Sequence, residues 1–320
     1  MNHGVAALRR PHVHEAGFYG SDAEFRAMIV PFVEDGLAAG EPVILGYDER
    51  KTGLLQGWLH DPSAVTFVSG DELYGTPARA ISSYERLFQR HLDAGAPGVR
   101  LAGEVPHVGN GGRFEGWDRY EAALNVLWAP YPLRSLCLYD ATTVSPAVRD
   151  VVERTHPVLG TPSGDRRDND RYDGTPVLGG LASAPDPIEA SAPTAELKNP
   201  TPAEARHALE QVADRRVDEQ TLTDLVIGVS ETVLNARVHG RAPATVRIWA
   251  EPERVVVHVS DSGSGPADPL AGLAPVANSP TNSGLGLWLT HQLDVEVALL
   301  AGPDGFTVRL RGGRSTPALL

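Results

Sequence analysis

The sequence predicts an α/β domain with a mostly parallel sheet, followed by a Pro/Gly-rich linker and a second domain that carries the chemistry. Two observations support this. From His14 to Thr155 short apolar strands alternate with amphipathic helical stretches, the pattern of a parallel sheet covered on both faces. From Leu159 to Asn199 the composition shifts to Pro, Gly, Ser, Asp and Thr, with Pro162, Pro176, Pro185, Pro187 and Pro193 interrupting regular structure. At 320 residues the chain is long enough for two domains of about 100 to 200 residues each.

The first strand is expected over Glu15–Tyr19, followed by a helix over Ser21–Ala39 with Ser21 as N-cap. Then come strand Pro42–Tyr47, helix Glu49–His60, strand Ala64–Ser69 and helix Pro77–Ala94. Strand Gly98–Glu104, helix Arg113–Trp128, strand Arg134–Asp140 and helix Pro146–Thr155 complete the series, the last with Ser145 as N-cap and Pro146 at its first position. In an open α/β sheet ligands sit beyond the carboxyl ends of the strands. Tyr19, Asp48, Glu104 and Asp140 gather there, either lining a pocket or capping helices. The cluster Gly109-Asn110-Gly111-Gly112 is either an anion cradle or a turn.

Past the linker, helix Pro202–Val217 carries Ala205, Leu209, Val212 and Val217 on one side, with His207 on its surface. The next helix runs from Leu222 to a stop at Gly240, with Leu225, Val226, Val229 and Val233 at the steps of a buried stripe. Glu231 and Asn235, four apart, share the opposite face. Alone they would read as a solvated polar face. Downstream, strand Arg254–Ser260 runs into Asp261-Ser262-Gly263-Ser264-Gly265, a turn that lets a ligand approach the backbone closely. Ser283-Gly284-Leu285-Gly286 then opens an amphipathic helix, whose free N–H groups and dipole suit phosphate.

Carboxylate and carboxamide on a helix, then Asp-x-Gly-x-Gly after a strand, then Gly-x-Gly before a helix, resembles the GHKL ATPase superfamily over about residues 195 to 313. More narrowly, Glu231-x-x-x-Asn235-Ala-x-x-His239-Gly240 resembles the bacterial anti-sigma factor serine kinases, departing mildly at Thr232, where small Ala is common. The resemblance implies an α+β sandwich (the Bergerat fold) over residues 200–320. It implies that ATP and Mg²⁺ bind there, with Asn235 as the metal ligand, Asp261 on the adenine amino group, and Gly263 and Gly265 close to the base. Gly284 and Gly286 would face the phosphates, Thr307 would lie near the adenine, and Pro266–Asn282 would form a mobile lid. Glu231 would be general base toward a protein hydroxyl. His239 either favours its helix dipole or serves the site, and Arg237 is left open between phosphate and a partner.

The first domain, residues 1–160, resembles the MEDS sensory domain at His14, Phe18-Tyr19, Val30–Leu37, Gly40–Val43 and Thr155-His156-Pro157. That family looks like a RecA-type core without its phosphate loop, and Tyr19-Gly20-Ser21-Asp22-Ala23-Glu24 indeed lacks Gly-x-x-x-x-Gly-Lys-Ser/Thr. The linker is placed at 161–199.

The partners that follow from these resemblances are a sigma factor, an anti-sigma factor antagonist protein and a small-molecule ligand of the N-terminal domain, with room for a homodimer. The net charge of -13 argues against direct nucleic-acid contact. The single cysteine, Cys137, precludes an intrachain disulfide and fits the cytoplasm, and no apolar run approaches the roughly 18 residues of a membrane span. A sensor histidine kinase or an ATP-responsive switch without phosphotransfer are the alternatives.

Overall fold

The computed structural model describes residues 12–112, 114, 116–174, 185–275 and 285–313. The chain divides near Pro176 into two compact units.

In the first unit the strands are β1 (Val13–Tyr19), β2 (Val43–Tyr47), β3 (Val65–Ser69), β4 (Val99–Gly103), β5 (Leu133–Asp140), β6 (Val158–Gly160) and β7 (Arg166–Asp168). They form one sheet in the order β3-β2-β4-β5-β1-β6-β7. Every neighbouring pair is parallel except β6 with β7. The helices are α1 (Asp22–Ala38), α2 (Glu49–Trp58), α3 (Gly70–Leu73), α4 (Pro77–Asp93), α5 (Trp117–Leu127) and α6 (Pro146–Thr155). Ser21, Asp48 and Ser145 cap α1, α2 and α6 by accepting a backbone N–H of the first turn. On one face Phe25, Ile29, Phe32 and Val33 of α1 and Leu55 of α2 pack on Val43, Leu45, Leu136 and Leu138. On the other, Tyr84 of α4 and Tyr120 and Leu124 of α5 close over Leu101, Gly103, Ser135 and Cys137.

Five of the seven strands lie where expected. The additional β6 and β7 fall in the stretch read from composition as the approach to the linker. Each has only three residues, too short to display an alternation. Helix α5 starts at Trp117 rather than Arg113, because Gly116 takes a left-handed conformation (φ 82°) that breaks the helix before it.

The second unit is an antiparallel five-stranded sheet ordered β11-β12-β10-β9-β8. Its strands are β8 (Ala195–Lys198), β9 (Thr245–Glu251), β10 (Arg254–Asp261), β11 (Glu296–Gly302) and β12 (Gly305–Gly313). Helices α7 (Pro202–Ala213), α8 (Glu219–Val238) and α9 (Leu285–Gln292) share one core with it. In α8 the expected stripe is realised: Leu225, Val229 and Val233 are buried against Val255, Val257, Val259 and Leu310. Each such burial is worth about 1.5–3 kcal/mol. The helix begins earlier than Leu222, because Asp218 accepts the Thr221 N–H at 2.8 Å as its N-cap. Helix α7 stops at Ala213, not Val217, where Asp214 leaves the helix and Arg215 turns left-handed (φ 58°).

The segment expected to be linker over 161–199 thus holds structure at both ends. β7 completes the first sheet, β8 forms an edge of the second, and a 3-10 turn over Pro187–Ala190 covers the second sheet's outer face. Ile188 packs there with Trp249 and Val256, while Asp186 pairs with Arg254 and Glu189 with Arg309. Prolines that interrupt long elements leave room for short strands and turns.

Candidate functional site

The two periodicities of the second unit converge on one cleft of about 990 Å³. Helix α8 brings Asn235, Ala236 and His239, the end of β10 brings Asp261, and the following turn brings Gly263 and Gly265. Leu287 of α9 and Phe306 and Val308 of β12 supply apolar walls. A site of this size with few fixed polar groups on an apolar lining is the usual form of a small-ligand pocket.

Asp261 is held firmly. Its Oδ1 accepts the backbone N–H of Gly263 at 2.7 Å and of Arg241 at 2.9 Å. Its Oδ2 lies against Gly240, where a Cβ would meet it at 2.6 Å. Gly240 is therefore required for the close approach of the α8 terminus to the carboxylate. Gly265 has φ 77° and sits on the Phe306 ring, so a side chain there would be both strained and blocked.

Glu231 lies one turn before Asn235, outside the lining of the cleft proper. A Cβ placed on Gly286 would collide with Glu231 Oε2 and come within 3.6 Å of Asn235 Nδ2. The carboxylate, the carboxamide and the first turn of α9 thus meet at one place. Gly284 and the part of the expected lid beyond residue 275 lie outside the described residues.

Thr307 departs from expectation. Successive strand residues face opposite sides, and β12 directs Phe306, Val308 and Leu310 into the helix-covered core. Thr307 pairs with Ser260 on β10, its Oγ1 2.8 Å from Ser260 Oγ, and is not part of the cleft lining. Phe306 takes the inward place. Arg237 also lies outside the cleft: its Nη1 donates to the carbonyls of Asn199 and Pro200, fixing the entry to α7. Thr232 does line the cleft, buried, with its hydroxyl donating to the Gly228 carbonyl at 2.7 Å.

Sequence reasoning did not single out Phe306, Gly305 or Leu287. A strand assignment over 305–313 would have put Phe306 and Thr307 on opposite faces, and only the pairing of Phe306 with Asp261 on β10 selects Phe306 for the cleft.

At the strand ends of the first unit, Asp48 caps α2 through the Lys51 N–H at 2.7 Å, and Asp140 Oδ1 accepts the Thr142 N–H at 2.8 Å. Glu104 is different: buried, it pairs with Lys51 through one oxygen and accepts from His107 Nε2 at 3.1 Å through the other. Burial opposes the Lys51 charge, but Glu104 more than offsets it and holds the ammonium's pKa above its ordinary value. The Gly109–Gly112 turn directs its N–H groups inward: Gly109 donates to His107 Nδ1, and Asn110 and Gly112 to the His107 carbonyl. It is a packed turn. Ser21 spends its side chain on the α1 cap where a phosphate loop would stand.

These features define a two-part protein, an α/β domain without a phosphate loop joined to an antiparallel sheet-and-helix sandwich with a ligand-sized cleft. Residues 13–157 match the family described as MEDS, MEthanogen/methylotroph, DcmR Sensory domain, and residues 195–311 match the histidine kinase-like ATPase domain. The chain therefore carries a MEDS domain followed by a histidine kinase-like ATPase domain of the GHKL superfamily. No curated protein matches it.

Among solved structures it is similar to the Erythrobacter litoralis EL346 blue-light activated histidine kinase, at 22% identity over 35% of this chain and 40% of that one, with a TM-score of 0.24. It is similar also to the histidine kinase domain of the E. coli osmosensor EnvZ, at 19% identity over 39% of this chain and 92% of that one, TM-score 0.24. A third is the cytoplasmic domain of EssC, at 10% identity over 53% of this chain and 40% of that one, TM-score 0.29. The chain thus spans 40% of the length of the first of these. Among the described residues no helix is long and apolar enough to cross a membrane.

Proposed function

We propose that the C-terminal domain binds ATP with Mg²⁺ and acts as a protein serine/threonine kinase and anti-sigma factor, regulated through the MEDS domain. The observation that carries this reading is the meeting of Glu231, Asn235 and Gly286 at one edge of a cleft that also holds Asp261. The cleft's volume and its close backbone approaches at Gly263 and Gly265 fit a nucleotide. Asp261 would accept from the adenine, with Oδ1 already engaged and Oδ2 turned toward Gly240. Asn235 would offer its side-chain oxygen, a hard donor, to Mg²⁺, which supplies charge neutralisation to the phosphates when bound. The N–H groups that open α9 would face phosphate.

Glu231 has no place in holding the base. Its position beside the first turn of α9 suits it to accept a proton from an incoming hydroxyl and to orient that oxygen. A free carboxylate for a protein hydroxyl favours serine or threonine transfer. His207 supports the same reading: it is exposed, its Nε2 bonds Gln211 at 3.0 Å, and α7 around it is built into the ATPase core through Ala205 and Leu209. Between β7 and β8, the described residues hold a 3-10 turn and no helical hairpin that would present a phospho-accepting histidine. Ile227, Leu234 and Val238 form an exposed apolar stripe on α8 suited to a protein partner, here a sigma factor, which the antagonist would displace until phosphorylated.

The test is incubation of the full chain and native cytosol with γ-labelled ATP. The expected product is acid-stable phosphoserine or phosphothreonine on a small separate protein, and a sigma factor should be retained on the chain in pull-downs with ATP. Acid-labile phosphate on the chain itself would instead establish a histidine kinase, and no transfer at all a nucleotide-responsive switch.

A further inference from the structure

Inside the first unit, four side chains with ligating atoms converge where the sheet meets α5 and the end of α6. β1 and β5 pair in parallel with His14 opposite Ser135 and Ala16 opposite Cys137, so His14, Cys137 and Tyr139 project from one face. Glu121 and Asn125 reach down from α5, and His156 follows α6. His14 Nε2 is 3.2 Å and His156 Nε2 3.4 Å from the same oxygen, Glu121 Oε2. Cys137 Sγ is 3.6 Å from His14 Nε2 and 3.9 Å from Glu121 Oε2. All four ligating atoms lie within 4.8 Å of one another.

The hydrogen bonds around the cluster fix which atoms carry protons. Asn125 Nδ2 donates to the carbonyls of Glu121 at 3.2 Å and Thr155 at 2.7 Å, which sets the orientation of its amide. Its Oδ1 must then accept from His14 Nδ1, 3.2 Å away. His156 Nδ1 donates to the Val152 carbonyl at 2.8 Å. In the neutral imidazole both rings therefore present an unprotonated Nε2 to the cluster. Tyr139 donates to Glu121 Oε1 at 2.6 Å, leaving Oε2 for the centre.

Two imidazole lone pairs and a carboxylate oxygen thus point at one another in a region where His14, Glu121 and His156 are 1%, 0% and 0% exposed. The Cys137 thiol has one proton to offer and can give it to His14 Nε2 or to Glu121 Oε2, which leaves His156 Nε2 facing the carboxylate as acceptor against acceptor. His156 Nε2 indeed has no hydrogen-bond partner. Buried acceptors left this way are costly. A divalent ion answers all of them together: thiolate and carboxylate cancel its charge, and the neutral rings complete the shell.

The spacing agrees. Metal–ligand bonds of about 2.0–2.3 Å in a tetrahedron separate neighbouring ligands by about 3.3–3.8 Å, and the four distances above, from 3.2 to 3.9 Å, bracket that range. We propose that His14, Glu121, Cys137 and His156 form a metal site for one divalent first-row transition ion of the zinc type, with Asn125, Tyr139 and the Val152 carbonyl as its outer shell. The mixed nitrogen, sulfur and oxygen donors favour such an ion over Mg²⁺ or Ca²⁺.

The experiment uses the full chain without an affinity tag, stripped with a chelator, shown to be folded by circular dichroism, and titrated with Co(II). One Co(II) per chain is expected, with the intense visible bands of a tetrahedral centre and a near-ultraviolet thiolate charge-transfer band, all displaced by Zn(II). Cys137 is the only cysteine in the sequence, so that band has one source. Cys137→Ser should bind Co(II) without the charge-transfer band, and Asn125→Ala should weaken binding about 10–100-fold, as loss of an outer-shell partner does. A folded chain that takes up neither Co(II) nor Zn(II), or a cobalt spectrum without the thiolate band, would overturn the assignment. Unchanged affinity in Asn125→Ala would overturn the outer shell.

Discussion

Asp261 accepts the backbone N–H of Arg241 at 2.9 Å, across the turn that follows α8. The same oxygen takes the N–H of Gly263 at 2.7 Å. Asp261→Asn can keep both bonds through its amide oxygen while replacing the second carboxylate oxygen with a donor. The variant is expected to retain its fold and to bind ATP more weakly by about 1.5–3 kcal/mol, the scale of a charged hydrogen bond. Calorimetry with ATP checks this, and an unchanged affinity removes Asp261 from adenine recognition.

Glu231 and Asn235 should fail differently although both adjoin Gly286. Asn235→Ala is expected to lose metal-dependent nucleotide binding and phosphotransfer together. Glu231→Gln should keep ATP affinity and lose roughly 10²–10⁴-fold in transfer, the range for removing a general base. Measuring affinity and phosphorylation on both variants separates the roles. Full transfer in Glu231→Gln would exclude it as the base.

In the first unit, Lys51→Met should leave Glu104 buried beside His107 without its ammonium. Breaking a buried ion pair from one side costs about 3–5 kcal/mol, whereas replacing both members with apolar groups is often close to neutral. The double variant Lys51→Met/Glu104→Leu is therefore expected to unfold at a higher denaturant concentration than Lys51→Met alone. The reverse order would mean that the pair does not carry the stability.

Glu189 gives a pH dependence. Burial would raise its pKa, but His258 and Arg309 outweigh that and hold it below the ordinary carboxylate range. A folded-state pKa below the unfolded value adds stability that is fully present above the unfolded pKa and lost as pH falls through the folded one. Hydrogen exchange in residues 186–190 should accordingly rise on acidification below about pH 4.3, the unperturbed value for Glu, and Glu189→Gln should flatten that response. An identical profile in the variant would assign the transition to another group.

Legibility in the sequence followed the range of the interactions. Glu231 with Asn235, and Asp261 with Gly263 and Gly265, could be read because one helical turn or one tight turn fixes each set locally. That Thr307 lies off the cleft lining was not legible, because a strand's alternation says which residues share a face without saying which face is inward. That is settled by pairing with β10 and by the helices above. The cluster around Glu121 was still less accessible. His14 and Cys137 stand 123 positions apart and meet only because β1 lies beside β5. The short β6, β7 and β8 were hidden for another reason: with three or four residues and prolines nearby, they form because a neighbouring edge offers hydrogen bonds, not because their own pattern demands it.

β1 is made before the other described strands of its sheet and lies inside that sheet, between β5 and β6. Its parallel partners, the runs Arg134–Asp140 and Val158–Gly160, are contributed by the far end of the unit. During synthesis the nascent chain must therefore hold an apolar strand unpaired while more than a hundred residues follow, the situation in which slow, non-local pairing exposes a chain to aggregation. A nascent chain emerged only as far as Asp140 would display that strand with one of its two edges open. The unit can close only when Gly160 has emerged as well, so its quality is checked at the end of its translation rather than along the way.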